Sequence, residues 1–446
     1  MLSSSPQAHN QLGLWGDLMS HLDQKHPLFI LANKINWTIF EVAFRKHYSE
    51  KMGKPSKPIR LMVSLLILKQ LRNLSDENIV LQWSENIYYQ YFSGEQSFQP
   101  GIPCVPTELV AFRKRIGEEG VELILKESIR VNEPPDDAGK VVVSIDTTVQ
   151  EKNITYPTDD KLYKKIIKKC WKIAADTDVL LRQSYVRTVK KLSTLQRFKN
   201  SKNGAKQARK ASRRIKTIAA TLVRELSRKL SLAHLGKYLP QLKLYWKVLL
   251  QRRGDSNKIY SLHEPDVKCY TKGKEHKKFE FGSKVSILAC QKTGIIMGAL
   301  SFAENVHDSK TLPTVLEQYE RLQGSEVNEA FVDRGYRGIK QYKNTIIQIP
   351  KPDKHISRTK RKRHGKRAGI EPIISHLKSG YRMGRNYLKG ILGDKLNAIL
   401  SAAAMNFQRA MNLWRTEANI RWKLLLNYFC QVQGIFLSLF LTKSTF

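Results

Sequence analysis

Acidic residues are scarce in this chain. Its 446 residues hold 39 Asp or Glu against 77 Lys or Arg, a formal net charge of +38. A surplus that large favours a polyanionic partner, either nucleic acid or an anionic membrane. Cysteine is also rare: five residues, at 104, 170, 269, 290 and 430, and no Cys-x-x-Cys pair. That spacing argues against a structural zinc site, and the odd count at low density fits a reducing cytoplasm. A Gly-x4-Gly-Lys-Ser/Thr loop is missing, so no nucleotide cofactor is expected. Long apolar runs are missing too. The nearest, "LLLNYFCQVQGIFLSLFL", is interrupted by Asn427, Gln431 and Gln433, whereas a membrane span needs roughly 18 uninterrupted apolar residues. The opening "MLSSSPQAHNQLGLWG" has no basic stretch followed by an apolar one, so it does not read as a signal peptide. The expected setting is cytoplasmic, without membrane contact.

Hydrophobic residues make up 41%, enough for a sizeable core in a chain long enough for several domains. Residues 35–131 read as helices. "PIRLMVSLLILKQLRN" carries an apolar face at Ile59, Met62, Val63, Leu66 and Ile67, with Pro58 suited to a first turn. Ser75 is placed as an N-cap, followed by Asp76 and Glu77, and Thr107 as another. The spacing assigns 1–131 to a helical N-terminal domain. Two prolines and a glycine among charges make 132–140 a linker.

The periodicity then changes. "VVVSID" is a β-branched run ending on Asp146. Two strand-like runs in "SKVSILACQKTGIIMGALSF" meet at a turn, Lys292-Thr293-Gly294. "KTLPTVLEQYERL" reads as a helix leading into a short strand, "AFV", that ends on Asp333. "TIIQIP" is a further strand, and helical patterns run from about Glu371 to Trp414. The order predicts a mixed α/β sheet layered with helices, in two parts, 141–189 and 236–415. Between them, 190–235 forms an insertion. Its stretch 190–230 holds 14 Lys or Arg and one acid, Glu225. A solvated helical hairpin would carry balanced charges, so a run this one-sided points to an anion, with Arg213, Arg214 and Lys216 as DNA contacts. The tail, 416–446, carries no readable motif.

Three carboxylates stand out: Asp146, Asp333 and Glu371, the last at the start of a helix in "KRAGIEPIISHLK". Taken singly, each is ordinary turn or cap chemistry. Brought together, they make hard oxygen donors for two divalent cations, suited to Mg²⁺ (or Mn²⁺). Two such ions about 4 Å apart serve phosphodiester chemistry. Pro372 belongs in a first helical turn, so the helix should begin near Gly369. Arg367 then precedes it, and Lys378 shares a face with Glu371, seven residues on. The cations read either as phosphate grips or as ion-pair partners of Glu371. Asp308 reads as the cap of the following helix and His307 as a candidate neighbour of the site, with His263 and His276 weaker ones. Tyr381, Arg382, Arg385 and Asn386 either touch DNA or fasten the last helices.

In order along the chain, "SIDTTVQEKNITYPTDDKLY", "LHEPDV", "KGKEHKKFEFGSKV", "ENVHDSKTL", "VDRGYRG" and "YRMGRNYLKGILGDKLNAILSAAAMNF" resemble motifs of the bacterial insertion-sequence transposases with a DDE triad, in the branch named insertion-sequence "five". Arg367-x3-Glu371-x6-Lys378 matches the tail of that group's Tyr-Arg-Glu-Lys signature, with His364 in place of the tyrosine. "LSDENIVLQWSENIYYQYFSG" resembles the N-terminal helical domain, and the likeness covers about 40–412. The resemblance implies an RNase H-like core with Asp146, Asp333 and Glu371 as catalytic metal ligands for two Mg²⁺. It implies Arg334, Arg337, Arg367, Lys378 and Arg385 near DNA. The substrates would be double-stranded element ends and target DNA, handled by a homodimer and associated with the nucleoid. Two rivals are a nuclease on the same core and an inactive DNA-binding derivative.

Overall fold

The computed structural model describes residues 17–49, 55–132, 140–252, 254–271, 278–350 and 357–441, with side chains omitted at 360, 363 and from 417 onward. His276, most of the expected linker and the tail's side chains lie outside the described residues.

Seven strands form one mixed sheet: β1 (Val142–Glu151), β2 (Lys268–Thr271), β3 (Phe279–Cys290), β4 (Ile296–Phe302), β5 (Glu329–Phe331), β6 (Gln341–Tyr342) and β7 (Thr345–Gln348). The path is β2-β3-β1-β5-β7-β6, with β4 also pairing β3. β3 runs antiparallel to β1 and to β4, while β5 is parallel to both β1 and β7. The expected β3–β4 hairpin forms, with Gly294 at φ 71° in its turn. β1 is longer than "VVVSI" suggests. Asp146 sits inside it and not at its end, because Thr147, Thr148 and Val149 extend the β-branched run.

The helices expected at 35–131 form. They share a single hydrophobic core with the sheet, running from Leu28 and Phe40 through Leu66, Ile145 and Ile287 to Phe407. The helix Ile59–Leu71 has no exposed face, since the helices Thr38–Arg45 and Pro106–Val131 and the long helix Gly390–Leu441 surround it. Ser75 caps its helix by accepting from the Asn78 N–H at 3.1 Å. Thr107 does not act as a cap. The helix begins one residue earlier, at Pro106, and the Glu108 carboxylate reaches back to the Val105 N–H at 2.9 Å.

The insertion is larger than its basic run. Four helices, Asp159–Asp176, Val186–Leu195, Ala205–Lys229 and Leu232–Leu250, stand between β1 and β2 around a second core that includes Leu162, Ile166, Cys170, Ile215, Leu222 and Tyr245. The charge-rich sequence is thus one face of a packed helical unit, and its apolar partners lie on both sides of 190–235.

The helical pattern from Glu371 to Trp414 is two helices, Ile370–Gly380 and Gly390–Leu441, separated by an irregular connection. Gly384 folds back onto the first helix, its N–H bonded to the Lys378 carbonyl at 3.2 Å. A Cβ there would stand 2.5 Å from that same oxygen, so only glycine fits. No helix among the described residues is long and apolar enough to cross a membrane.

Candidate active site

Val142, Val143 and Ser144 pair with Glu329, Ala330 and Phe331 across β1 and β5. The same offset carries Asp146 level with Asp333, just past the end of β5. Neighbouring strands lie about 4.8 Å apart, so the two carboxylates start from adjacent backbones. Asp333 turns out to be both a turn cap and a presented acid. Its Oδ1 accepts from the Gly335 N–H at 2.8 Å, capping the short 3-10 turn Arg334–Tyr336. Its other oxygen makes no hydrogen bond to a described residue. Asp146 Oδ1 accepts from the Thr147 N–H at 2.7 Å. Burial pushes its carboxyl up to about 6; the Thr147 N–H and Arg367 oppose the rise, while Asp333 and Asp308 add to it.

Asp308 does not cap the helix that it begins. His307 caps the helix Asp308–Gln323, its ring nitrogen facing the Ser309 N–H at 3.4 Å. That leaves the Asp308 carboxylate free to face the sheet. Its Oδ1 accepts from the Thr147 hydroxyl and from the Lys284 ammonium, both at 2.8 Å. A Cβ on Gly335 would come within 2.9 Å of Asp333 Oδ1 and 3.2 Å of Asp308 Oδ2. Gly335 thus leaves room between two carboxylates, and Gly338 is required by its φ of 103°. The adjacency of Asp308 to a helix start hid this role, since capping alone explains an Asp there.

The glutamate helix begins where Pro372 requires, at Ile370, and packs against β1 through a side that includes buried Ile370 and Leu377. Glu371 itself is 64% exposed, with Arg367 3.8 Å away. That guanidinium reaches both acids electrostatically, because it also acts on Asp146. The structure thus brings Asp146, Asp333 and Asp308 together, and places Glu371 on the adjoining layer with its carboxylate in solvent. Among the described residues, no three His, Cys, Asp or Glu side chains are gathered closely enough to hold a metal ion. The aspartates still fit a hard cation in kind. Their oxygens are the right donors, and Asp146 is a buried acid whose carboxyl stays raised beside Asp333 and Asp308.

The cations are spread around this centre. Arg334 and Arg337 are exposed on the turn after Asp333, Lys378 is half-buried two turns beyond Glu371, and Arg385 is exposed in the connection. His364 packs edge-on against the Phe331 ring at 5.5 Å, docking the basic helix Arg358–Gly365 onto β5. His263 bonds the Ser261 hydroxyl at 2.8 Å, away from these acids in its hydrogen bonding. Three of the four residues of the last motif make bonds that fasten the last helices. The Tyr381 carbonyl accepts from Ser401 and Gln70, Arg382 donates to the Asn73 carbonyl, and Asn386 is buried against Asp394.

A mixed sheet presenting paired aspartates on neighbouring strands, flanked by a glutamate helix and set in a strongly basic chain, defines a DNA-processing α/β core of the RNase H type. Comparison with known proteins agrees. Residues 16–115 match the family described as "Transposase domain (DUF772)" and residues 255–407 match "Transposase DDE domain". The chain is 38% identical over 175 residues to "Uncharacterized protein ORF8 in nfe locus" of Rhizobium meliloti, spanning 38% of this chain and 83% of that one. No solved structure matches. The protein belongs to the insertion-sequence DDE transposases, enzymes that act on DNA and generally use divalent metals.

Proposed function

We propose that the protein binds the terminal inverted repeats of its insertion sequence and catalyses DNA cleavage followed by strand transfer. The register that sets Asp146 beside Asp333, with the Glu371 helix packed on the same strand, carries this reading. Asp146 and Asp333 would hold Mg²⁺ from the sheet and Glu371 from the helix. When bound, a pair of such ions activates the attacking oxygen and stabilises the leaving one. Water first displaces the 3′ oxygen of a phosphodiester, which departs with a proton as a 3′-hydroxyl. That hydroxyl then attacks a target phosphorus, forming a new P–O bond and releasing the target's 3′ oxygen. One site serves both steps because only the nucleophile changes, and in-line displacement needs positioning and charge neutralisation above all. Arg334, Arg337, Arg367, Lys378 and Arg385 supply that positive charge along the strand. The N-terminal helices would read the element ends, and a homodimer would bridge two of them.

Lys378 gives a direct check of the phosphate role. Lys378→Ala is expected to weaken binding to element-end DNA and slow cleavage, while folding stability changes by only about 0–1 kcal/mol, the usual worth of a surface ion pair. Lys378→Arg should recover part of the activity, since charge is kept but donor geometry differs. Normal cleavage by Lys378→Ala, or unfolding by several kcal/mol, would assign the lysine a structural role instead.

The insertion gives a second check. Arg213 and Arg214 are exposed on the helix Ala205–Lys229, whereas the Lys216 ammonium lies 5.8 Å over the Tyr163 ring. Replacing all three with Gln should weaken binding to every DNA sequence alike. The two arginines should lower the log–log salt slope by about 0.9 each, and Lys216, engaged with an aromatic face, should add less. A slope identical to wild type would leave these charges facing solvent.

A further inference from the structure

The helix Ala205–Lys229 has two distinct long faces. Ile215, Ile218, Leu222 and Leu226 recur at helical spacing and are buried in the second core. On another side, Lys210, Arg214, Thr217, Thr221, Arg224 and Arg228 recur at steps of three and four, a stripe of cations and hydroxyls one residue wide. From Lys210 to Arg228 that stripe is about 27 Å long. It runs into a cavity of about 760 Å³, formed between this helix and the segment that joins the helices Asp159–Asp176 and Val186–Leu195.

Arg182, Gln183 and Tyr185 line the cavity from the segment, and Thr221, Arg228 and Lys229 from the helix. Glu225, the one acid in the wall among the described residues, is already engaged. It is buried, accepts from the Arg182 N–H at 2.6 Å, and takes the Lys229 ammonium at 2.7 Å. The Lys229 ammonium also bonds the Leu180 carbonyl, and the Trp171 indole N–H holds the Ser184 carbonyl at 2.7 Å. These bonds fix the segment on which Arg182 sits. The Arg182 and Arg228 guanidinium groups remain exposed; Arg228 acts on Glu225 only across space, and neither makes a hydrogen bond or close ion pair to a carboxylate among the described residues. Two unpaired cations and a hydroxyl at a pre-formed cavity describe a receptor for a phosphate group.

We propose that this cavity seats a backbone phosphate of a DNA strand, gripped by Arg182 and Arg228, at the end of a track that follows the basic stripe. The inference rests on the DNA-processing reading and adds a binding element outside the carboxylate centre. A free anion such as a nucleoside diphosphate would use the same donors; the stripe leading into the cavity favours a polymer.

The test uses the full-length chain and a duplex of arbitrary sequence, titrated from about 50 to 200 mM salt. The double variant Arg182→Gln/Arg228→Gln should lower the log–log slope by about 0.9, the share of one phosphate, and each single variant by part of that. The melting temperature should move little, because neither guanidinium makes a hydrogen bond or close ion pair among the described residues. An unchanged slope in the double variant overturns the proposal. So does tight binding of inorganic pyrophosphate to the wild type that the double variant loses while its DNA slope stays the same, which would make the cavity a free-anion site. The duplex carries no element end, so the outcome stands apart from the transposition reading. Failure of wild type to cut element ends would overturn that reading and leave the seat intact.

Discussion

Asp146→Asn and Asp333→Asn are each expected to reduce cleavage of element-end DNA to background while leaving DNA binding intact. Each substitution removes a charged oxygen donor with almost no change in size. The surroundings of Asp146 sharpen the expectation. Its carboxyl is pushed up by burial and further by the Asp333 and Asp308 charges. Without metal, then, Asn at 146 removes a repulsive charge and should leave thermal stability equal to or above that of wild type. With metal, the wild type should gain stability as Mg²⁺ is added, because a ligand that binds only the folded state shifts the melting temperature. The Asn variants should not respond. Loss of activity together with a large loss of stability would point to a structural carboxylate instead. Glu371→Gln tests a different point. Its carboxylate stands mostly in solvent beside Arg367, so it can contribute only if it turns toward the aspartates once metal and DNA are present. The same loss of cleavage is expected, with no change in the stability of the metal-free protein. Near wild-type cleavage would remove Glu371 from the site.

Where the sequence was legible, local chemistry and tertiary demand agreed. Ser75 caps a helix, Lys292-Thr293-Gly294 turns a hairpin, and Pro372 marks a helix start, because each residue constrains its own backbone. Asp146 was misread as a strand end because β-branched residues on both sides of an acid can only be joined by pairing with β3, which lies more than a hundred residues away. Asp308 was read as a cap because its neighbour His307, which does the capping, is a poorer cap former by type. The helical unit extends beyond its basic run for a related reason. Charge composition marks one face of the helix Ala205–Lys229, but the apolar partners that close its core come from the helices Asp159–Asp176 and Leu232–Leu250, which lie outside that run. The three candidate ligands could be chosen by type. Their register across β1 and β5 could not, since nothing local to either strand sets the pairing of the other.

The second large effect is expected from a residue far from any reacting atom. Lys152, one residue beyond β1, is only 2% exposed at its side chain, yet it is a cation buried among acids. Its ammonium donates to Asp394 Oδ1 at 2.7 Å and to the Gly390 carbonyl at 3.0 Å, and lies 3.4 Å from Glu264 Oε2. The same glutamate oxygen accepts from the Gly390 N–H, and Asn386 donates to Asp394 at 2.6 Å. Three distant pieces of chain meet here: the end of the strand that carries Asp146, the segment returning from the insertion, and the start of the long helix Gly390–Leu441. Lys152→Ala would leave two carboxylates buried without their cation. Removing one partner of a buried ion pair typically destabilises by about 3–5 kcal/mol, and loss of that size is expected in denaturant unfolding. The sign with pH follows from Asp394. Burial raises its carboxyl, opposed by Lys152 and Asn386, so removing Lys152 should raise it further. A carboxyl raised in the folded state favours folding at low pH and loses that benefit as pH climbs through its folded value, so the deficit of Lys152→Ala should shrink on acidification. Replacing Lys152, Glu264 and Asp394 together with Met, Leu and Leu should recover much of the lost stability, because apolar groups of similar volume carry no unpaired charge. A Lys152→Ala protein less than about 1 kcal/mol weaker than wild type would mean that water reaches these groups and the junction is held by packing alone.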